Sequence, residues 1–243
     1  MKSIIAVTLF IVTCSLSAFS QSDSRAELLK QIETKRTELA KLEQLLIQPA
    51  AEDREAYAQF LAQPDTGLIR LLPREKYESH ANNKSGLTIR GGGAYYSFTR
   101  QSNEYGRATD LGLQQGNLSV GFAGADYGML IKLDGANLED VSTELPGITF
   151  LAKYTAVSSE PDARIEQRRF GSAGTVIDGI SYKGHLRAEV DATYVLRSIA
   201  FEASDVLVAF KVVRQDSDGS LIIAWKLLKK FPKPELNRST ASR

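Results

Sequence analysis

The sequence predicts a mainly β protein: a two-layer, sandwich-like antiparallel β domain preceded by an N-terminal helical hairpin or short coiled coil. Three observations carry this expectation. From Gly86 onward the chain breaks into short segments rich in β-branched and aromatic residues, and nine of its eighteen glycines fall between Gly91 and Gly128; short strands joined by tight turns have that texture. The stretch "VLVAFKVVRQDSDGSLIIAWKLL" folds about Ser217 and Asp218 into a hairpin. Ahead of both, apolar residues recur at Leu28, Ile32, Leu39, Leu42 and Leu46, a heptad-like stripe.

Taken in order, residues 1–20, "MKSIIAVTLFIVTCSLSAFS", join an early Lys to an apolar run and end in small residues. This is the pattern of a secretory signal peptide cleaved after Ser20, and it predicts a secreted or periplasmic protein. The run is short for a membrane span, which needs ~20 apolar residues. "IVTC" also approximates a lipoprotein signal, so attachment of lipid at Cys14 is the alternative route to the envelope. Cys14 is the only cysteine, so no disulfide can form within the chain.

The chain carries 30 Lys and Arg against 29 Asp and Glu; removing residues 1–20 takes away one Lys and no acid, leaving 29 of each. That balance argues against a nucleic-acid or anionic-membrane partner.

Residues 21–63 are expected to form the helical arm. With Ile32, Leu39 and Leu46 at position a, position d holds Leu28, Lys35 and Leu42, a seam with one charged member. Residues 25–48 could therefore join two or more copies of the chain, or pack on their own domain. Pro49 interrupts the stripe, and Tyr57, Phe60 and Leu61 fall on one side of a second helical limb. Residues 64–85 read as a linker, 86–231 as the β domain and 232–243, "PKPELNRSTASR", as a mobile tail.

Within 86–231, strands are expected at 87–90, 94–100, 117–122, 129–133, 149–155, 175–182, 185–199, 206–214 and 221–231. One helix is expected at "EPDARIEQRRF", with Ser159 as its cap, Pro161 in its first turn and Gly171 after it. In the last hairpin the pattern pairs Phe210 with Trp225, Val212 with Ile223 and Val208 with Leu227, all on one face. A slip of one residue would set that apolar set against Lys226. The opposite face is apolar too, which places these strands at the centre of a sheet or between layers.

Motifs for chemistry are sparse. "IRGGGAYYSF" lacks the helix that a phosphate-cradling loop would lead into, and its apolar parity switches from Leu87 and Ile89 to Tyr96 and Phe98, so the glycines should bend the chain. "DSDGS" resembles part of a calcium loop, but Arg214 and Trp225 stand where acids are required. His80 and His185 are the only histidines and form no ligand cluster by spacing. No metal or cofactor is expected.

A carboxylate pair needs only the right separation and leaves no motif. Glu139, Asp140, Glu144, Glu189 and Asp191 are candidates by type, and the alternative function is a secreted polysaccharide hydrolase. The stronger cluster is aromatic and basic: Tyr95 and Tyr105 with Arg90 and Arg100. If Tyr96 and Phe98 face the core, Tyr95 faces away, where a tyrosine beside arginines can meet a sugar or an acidic group. The function expected is a non-catalytic binding or assembly module whose partner is a protein or glycan of the cell envelope.

Overall fold

A computed structural model describes residues 13–78 and 86–237, with side chains from residue 24 onward. The chain divides into two units, residues 1–46 and 47–243. The described residues of the first form a single helix, α1 (Thr13–Leu46), which runs through the expected cleavage point without a break. Every residue from 24 to 42 is exposed. Among the described residues no helix is long and apolar enough to cross a membrane.

The second unit opens with α2 (Ala51–Ala56) and α3 (Ala58–Leu61). These were expected to be the second limb of a helical hairpin; they belong instead to the β body, because Phe60 is buried in its core with Tyr57 and Leu61 packed alongside. The expected linker contains a strand, β1 (Thr66–Leu71), and one turn of helix, α4 (Arg74–Tyr77). In β1, Gly67 lies opposite Trp225, and a Cβ there would come within 2.5 Å of the indole. A large cross-strand ring thus demands a residue that weakens the strand signal.

The remaining strands are β2 (Tyr95–Tyr96), β3 (Leu111–Gln114), β4 (Asn117–Ser119), β5 (Tyr127–Leu133), β6 (Thr175–Ile177), β7 (Ile180–Tyr182), β8 (His185–Arg187), β9 (Thr193–Ala200), β10 (Ser204–Gln215) and β11 (Leu221–Lys230). They build antiparallel sheets: five strands in the order β1-β11-β10-β9-β5, four in the order β2-β3-β4-β8, and the separate hairpin β6-β7. β10 is the middle strand of the larger sheet. Its even-numbered residues Val206, Val208, Phe210 and Val212 share a core with Tyr96, Phe98, Leu111, Leu113 and Leu118 of the smaller sheet's segments. Its odd-numbered residues Leu207 and Ala209 belong to a second core with Phe60, Ile148, Leu151, Ala163 and Phe170. Two opposed cores explain why this strand is apolar on both faces.

The hairpin has the register read from the sequence: Val208 opposite Leu227, Phe210 opposite Trp225, and Val212 opposite Ile223. A bulge at Val213 then sets Arg214 opposite Ile222. That shift directs the Arg214 guanidinium to Asp53, which its Nη2 reaches at 2.9 Å, and to Asp216, which its Nε reaches at 2.8 Å. The hairpin turn is further tied to the strand β1 and to α4. Arg70 donates to Asp216 at 3.0 Å and to Asp218 at 2.8 Å, and the Tyr77 hydroxyl donates to Asp218 at 2.6 Å.

Several expected strands differ. Residues 87–90 lie in turns, and 94–100 reduce to the two residues of β2. Of residues 149–155, 149–153 are α-helical in α5 (Ile148–Lys153). Thr149 and Phe150 favour strands locally, but Ile148 and Leu151, three apart, are both buried, so tertiary packing prevails. Residues 175–182 are the hairpin β6-β7, and 185–199 split between the two larger sheets. The helix at Ser159 forms as α6 (Glu160–Arg169), its cap hydroxyl accepting from the Asp162 amide at 3.2 Å. Of the expected mobile tail, residues 232–237 are held: the Glu202 amide donates to the Pro234 carbonyl at 2.8 Å, and the Asn237 amide to Ser158 at 2.7 Å. The rest lies outside the described residues.

Candidate functional site

The triple glycine does bend the chain. Gly91, Gly92 and Gly93 all have positive φ, at 81°, 60° and 73°. Within this turn the Gly92 amide donates to Ile89 and the Ala94 amide to Gly91. The reversal packs the turn closely: a Cβ on Gly92 would lie 2.5 Å from the Tyr77 backbone, and one on Gly91 would lie 2.6 Å from the Tyr95 ring. The chain leaves the turn as β2, whose alternation sends successive tyrosines to opposite sides. Tyr96 joins Phe98 and Trp225 in the inter-sheet core, with ring centroids 5.2 Å apart for Tyr96–Phe98 and Phe98–Trp225. Tyr95 points away from that core.

There Tyr95 meets Tyr105 at 4.8 Å and Phe122 at 5.2 Å between ring centroids. Tyr105 closes the group by donating its hydroxyl to the Phe122 carbonyl at 3.2 Å. Gly112 of β3 makes room for it, since a Cβ would lie 2.8 Å from Phe122. These rings form one wall of a cleft of about 530 Å³, within the size range of small-molecule sites. Arg90, Arg74, Glu78, Gln114 and Ser119 contribute the polar lining.

Electrostatics divides the two arginines. Arg74 is ion-paired to Glu78 one helical turn on and donates to Gln114 Oε1 at 3.2 Å. The hydrogen bond to Glu78 raises its already high pKa. Arg90 forms no ion pair with any described residue; its guanidinium lies 5.3 Å over the Tyr105 ring. Tyr95, only 7% exposed, has its hydroxyl pKa raised, chiefly by burial.

Of the four residues singled out in the sequence, the structure brings Tyr95, Tyr105 and Arg90 together. It leaves Arg100 apart: that side chain is exposed in the turn closed by the Ser97–Ser102 bridge and does not line the cleft. Arg74, Gln114, Ser119 and Phe122 were not singled out, because they arrive from separate elements and no short-range spacing links them.

The carboxylates considered for hydrolysis are all exposed, and none lines this cleft. Glu189 pairs with Lys132 at 2.7 Å and Asp191 with Lys211 at 3.3 Å. Glu139 and Asp140 sit on a short 3-10 turn, and Glu144 accepts from Thr143 at 2.9 Å. The acids of "DSDGS" are engaged by Arg70, Arg214, Tyr77 and Ser220. Among the described residues no group of three or more His, Cys, Asp or Glu could hold a metal. His185 is exposed on β8, while His80 and the Cys14 side chain lie outside the described residues.

Among the buried acids that no motif announced are Asp110 and Asp205. Asp110, after the cleft loop, is 0% exposed and accepts from the Phe98 amide at 2.9 Å and from Ser204 of β10 at 3.3 Å. Burial pushes its pKa up to about 6 against those hydrogen bonds. Asp205 sits under Arg197, whose Nη2 donates to it at 2.8 Å. Arg197 also donates to the Leu151 carbonyl and lies under the Phe231 ring, so its donors are spent on structure. No family model, curated protein or solved structure matches this chain.

Proposed function

We propose that this chain is an exported, non-catalytic binding or assembly module of the cell envelope or extracellular space. In this reading the sandwich-like β body takes its ligand in the cleft beside Tyr95, Tyr105 and Arg90, and α1 serves for self-association or attachment. The supporting observation is the contrast within the cleft. Its aromatic wall is interlocked and Arg74 is neutralised, whereas Arg90 is exposed with no ion-pair partner among the described residues. Fixed walls with few convergent polar groups suit recognition. Acid–base catalysis would need a positioned carboxylate or histidine there, and among the described residues the one acid lining the cleft, Glu78, is committed to Arg74.

Thermal unfolding of the purified protein against glycans, cell-wall fragments, lipids and divalent cations tests this reading. A ligand at 100 times its Kd adds ~2.7 kcal/mol to the folded state. The reading requires a rise in Tm with one class that Tyr105→Ala abolishes; a shift that survives Tyr105→Ala would place binding elsewhere. The route of attachment is read from the intact mass of the exported protein. Cleavage after Ser20 gives a free chain, and a retained, lipid-modified Cys14 gives an anchored one.

A further inference from the structure

The geometry points to an anionic sugar, a hexuronate unit of an acidic polysaccharide, as the ligand of this cleft, with its carboxylate taken by Arg90. This rests on the reading of the cleft as the binding site and adds to it the chemistry of what binds.

The argument begins with what the aromatic wall cannot do. Neutral sugars are usually held by stacking on an open ring face. Here the Tyr95 ring is buried, with Tyr105 tilted and Phe122 edge-on against it, and the Tyr105 ring is overlaid by the Arg90 guanidinium. The aromatics therefore act as a support that holds a cation, and the surface offered to a ligand is polar.

Charge then selects the ligand. Glu78 balances Arg74, which leaves Arg90 as the uncompensated charge among the described lining residues. A lone guanidinium matches the flat, singly charged carboxylate through two parallel N–H···O bonds. A phosphate dianion would call for a further free cation, and the other cation lining the cleft, Arg74, is already paired with Glu78.

Around this charge stand three polar groups with no hydrogen-bond partner among the described residues: the Tyr95 hydroxyl, the Gln114 amide nitrogen and the Ser119 hydroxyl. Gln114 has its oxygen engaged by Arg74 and so presents its NH₂ outward. Two hydroxyls and an amide suit the hydroxyls of a sugar ring, and a cleft of about 530 Å³ has room for more than a bare carboxylate.

The test is isothermal titration of the full-length purified protein and of Arg90→Ala with tetramers of galacturonate and of glucuronate, the same tetramers reduced at the carboxyl to neutral sugars, and inorganic phosphate. Arg90 is exposed and unpaired, so the variant should keep the wild-type Tm, which is checked first. The expected result is that one acidic tetramer binds, that its reduced form and the Arg90→Ala protein each bind at least tenfold more weakly, and that phosphate does not compete. Equal binding of the acidic and reduced tetramers, unaffected by Arg90→Ala, would overturn the anionic inference while leaving the cleft a glycan site. Competition by phosphate that depends on Arg90 would also overturn it, in favour of a phosphorylated ligand. Absence of binding by every sugar and by phosphate would overturn the inference; it would overturn the cleft reading as well only if the wider ligand panel also gave no Tyr105-dependent shift.

Discussion

α1 and β10 are both striped with large aliphatic residues, and they use them in opposite ways. In β10, Val206, Val208, Phe210 and Val212 are fully buried on one face and Leu207 and Ala209 on the other. In α1, Leu28, Leu29, Ile32, Leu39, Leu42 and Leu45 are 47% to 67% exposed. Removing apolar surface from water is worth ~25 cal/mol per Å², so the β10 stripe contributes to the stability of this chain and the α1 stripe contributes little. Intrahelical pairs such as Lys35–Glu38, at 2.8 Å and exposed, add a few tenths of a kcal/mol at most. A helix with an exposed apolar stripe is the form expected of one strand of an assembly, which is why α1 is proposed as the self-association arm.

The sharpest way to break this comparison is to truncate each stripe. Phe210 is 0% exposed and stacks on Tyr194 with centroids 5.3 Å apart, so Phe210→Ala should cost ~3–5 kcal/mol and lower Tm by roughly 6–20 degrees. Leu39→Ala should leave the unfolding of the β body within ~0.5 kcal/mol of wild type. Sedimentation equilibrium of the same Leu39→Ala protein reads the other half: if wild type self-associates through residues 25–48, the variant shifts toward monomer. A monomeric wild type would remove the self-association role.

The same contrast explains what was legible in the sequence. The β10–β11 register could be read because period-two burial on both faces leaves one pairing that avoids Lys226. Ser159 could be read as a cap because capping is local. β1 was taken for linker because Gly67 and Arg70 interrupt its apolar run, and the reasons for both residues lie far along the chain, in Trp225 and in Asp216 and Asp218. In the cleft, Tyr95, Tyr105 and Arg90 are close in sequence and were found together. Arg74 and Phe122 reach the same place only through sheet pairing, which no local pattern encodes. Arg100, equally near in sequence, does not line the cleft, because it lies in the turn closed by the Ser97–Ser102 bridge.

Burial that stabilises Phe210 should penalise a charge at the same depth, and Asp110 tests this. Its folded pKa of about 6 is raised, so the stability it contributes is fully present below the unfolded value near 4 and is lost as pH rises through 6. The amount is about 3 kcal/mol. Asn at this position can still accept from the Phe98 amide and donate to Ser204. Asp110→Asn should therefore flatten the decline of stability between pH 4 and 6, measured by urea unfolding, leaving the part due to Asp126, whose pKa burial also pushes up to about 6. An unchanged pH profile would show that Asp110 titrates normally.

Closer to solvent the sign reverses. Burial raises the pKa of Asp218, but hydrogen bonds from Tyr77 and from the Ser220 amide and hydroxyl, with the charge of Arg70, outweigh it and hold the value at about 2. Its contribution is therefore present above pH 4 and lost as pH falls toward 2. With the side chain 18% exposed, Asp218→Asn should cost about 2 kcal/mol at neutral pH and blunt the acid limb of the stability curve. Equal losses at pH 7 and pH 2 would show that the carboxylate's charge does not matter there.

The smallest effect lies at the exposed start of α6. The Ser159 hydroxyl accepts from the Asp162 amide at 3.2 Å, satisfying one of the donors that a helix leaves open at its first turn. Ser159→Ala should cost about 1 kcal/mol, independent of pH between 5 and 8, because no titrating group is removed. The cost should reach the whole β body, since α6 buries Ala163 in the core that backs β10. If hydrogen exchange instead showed faster opening confined to α6 with global stability unchanged, the helix would be a locally unfolding cover, and the division between buried and exposed segments would run through the second unit as well as between the two.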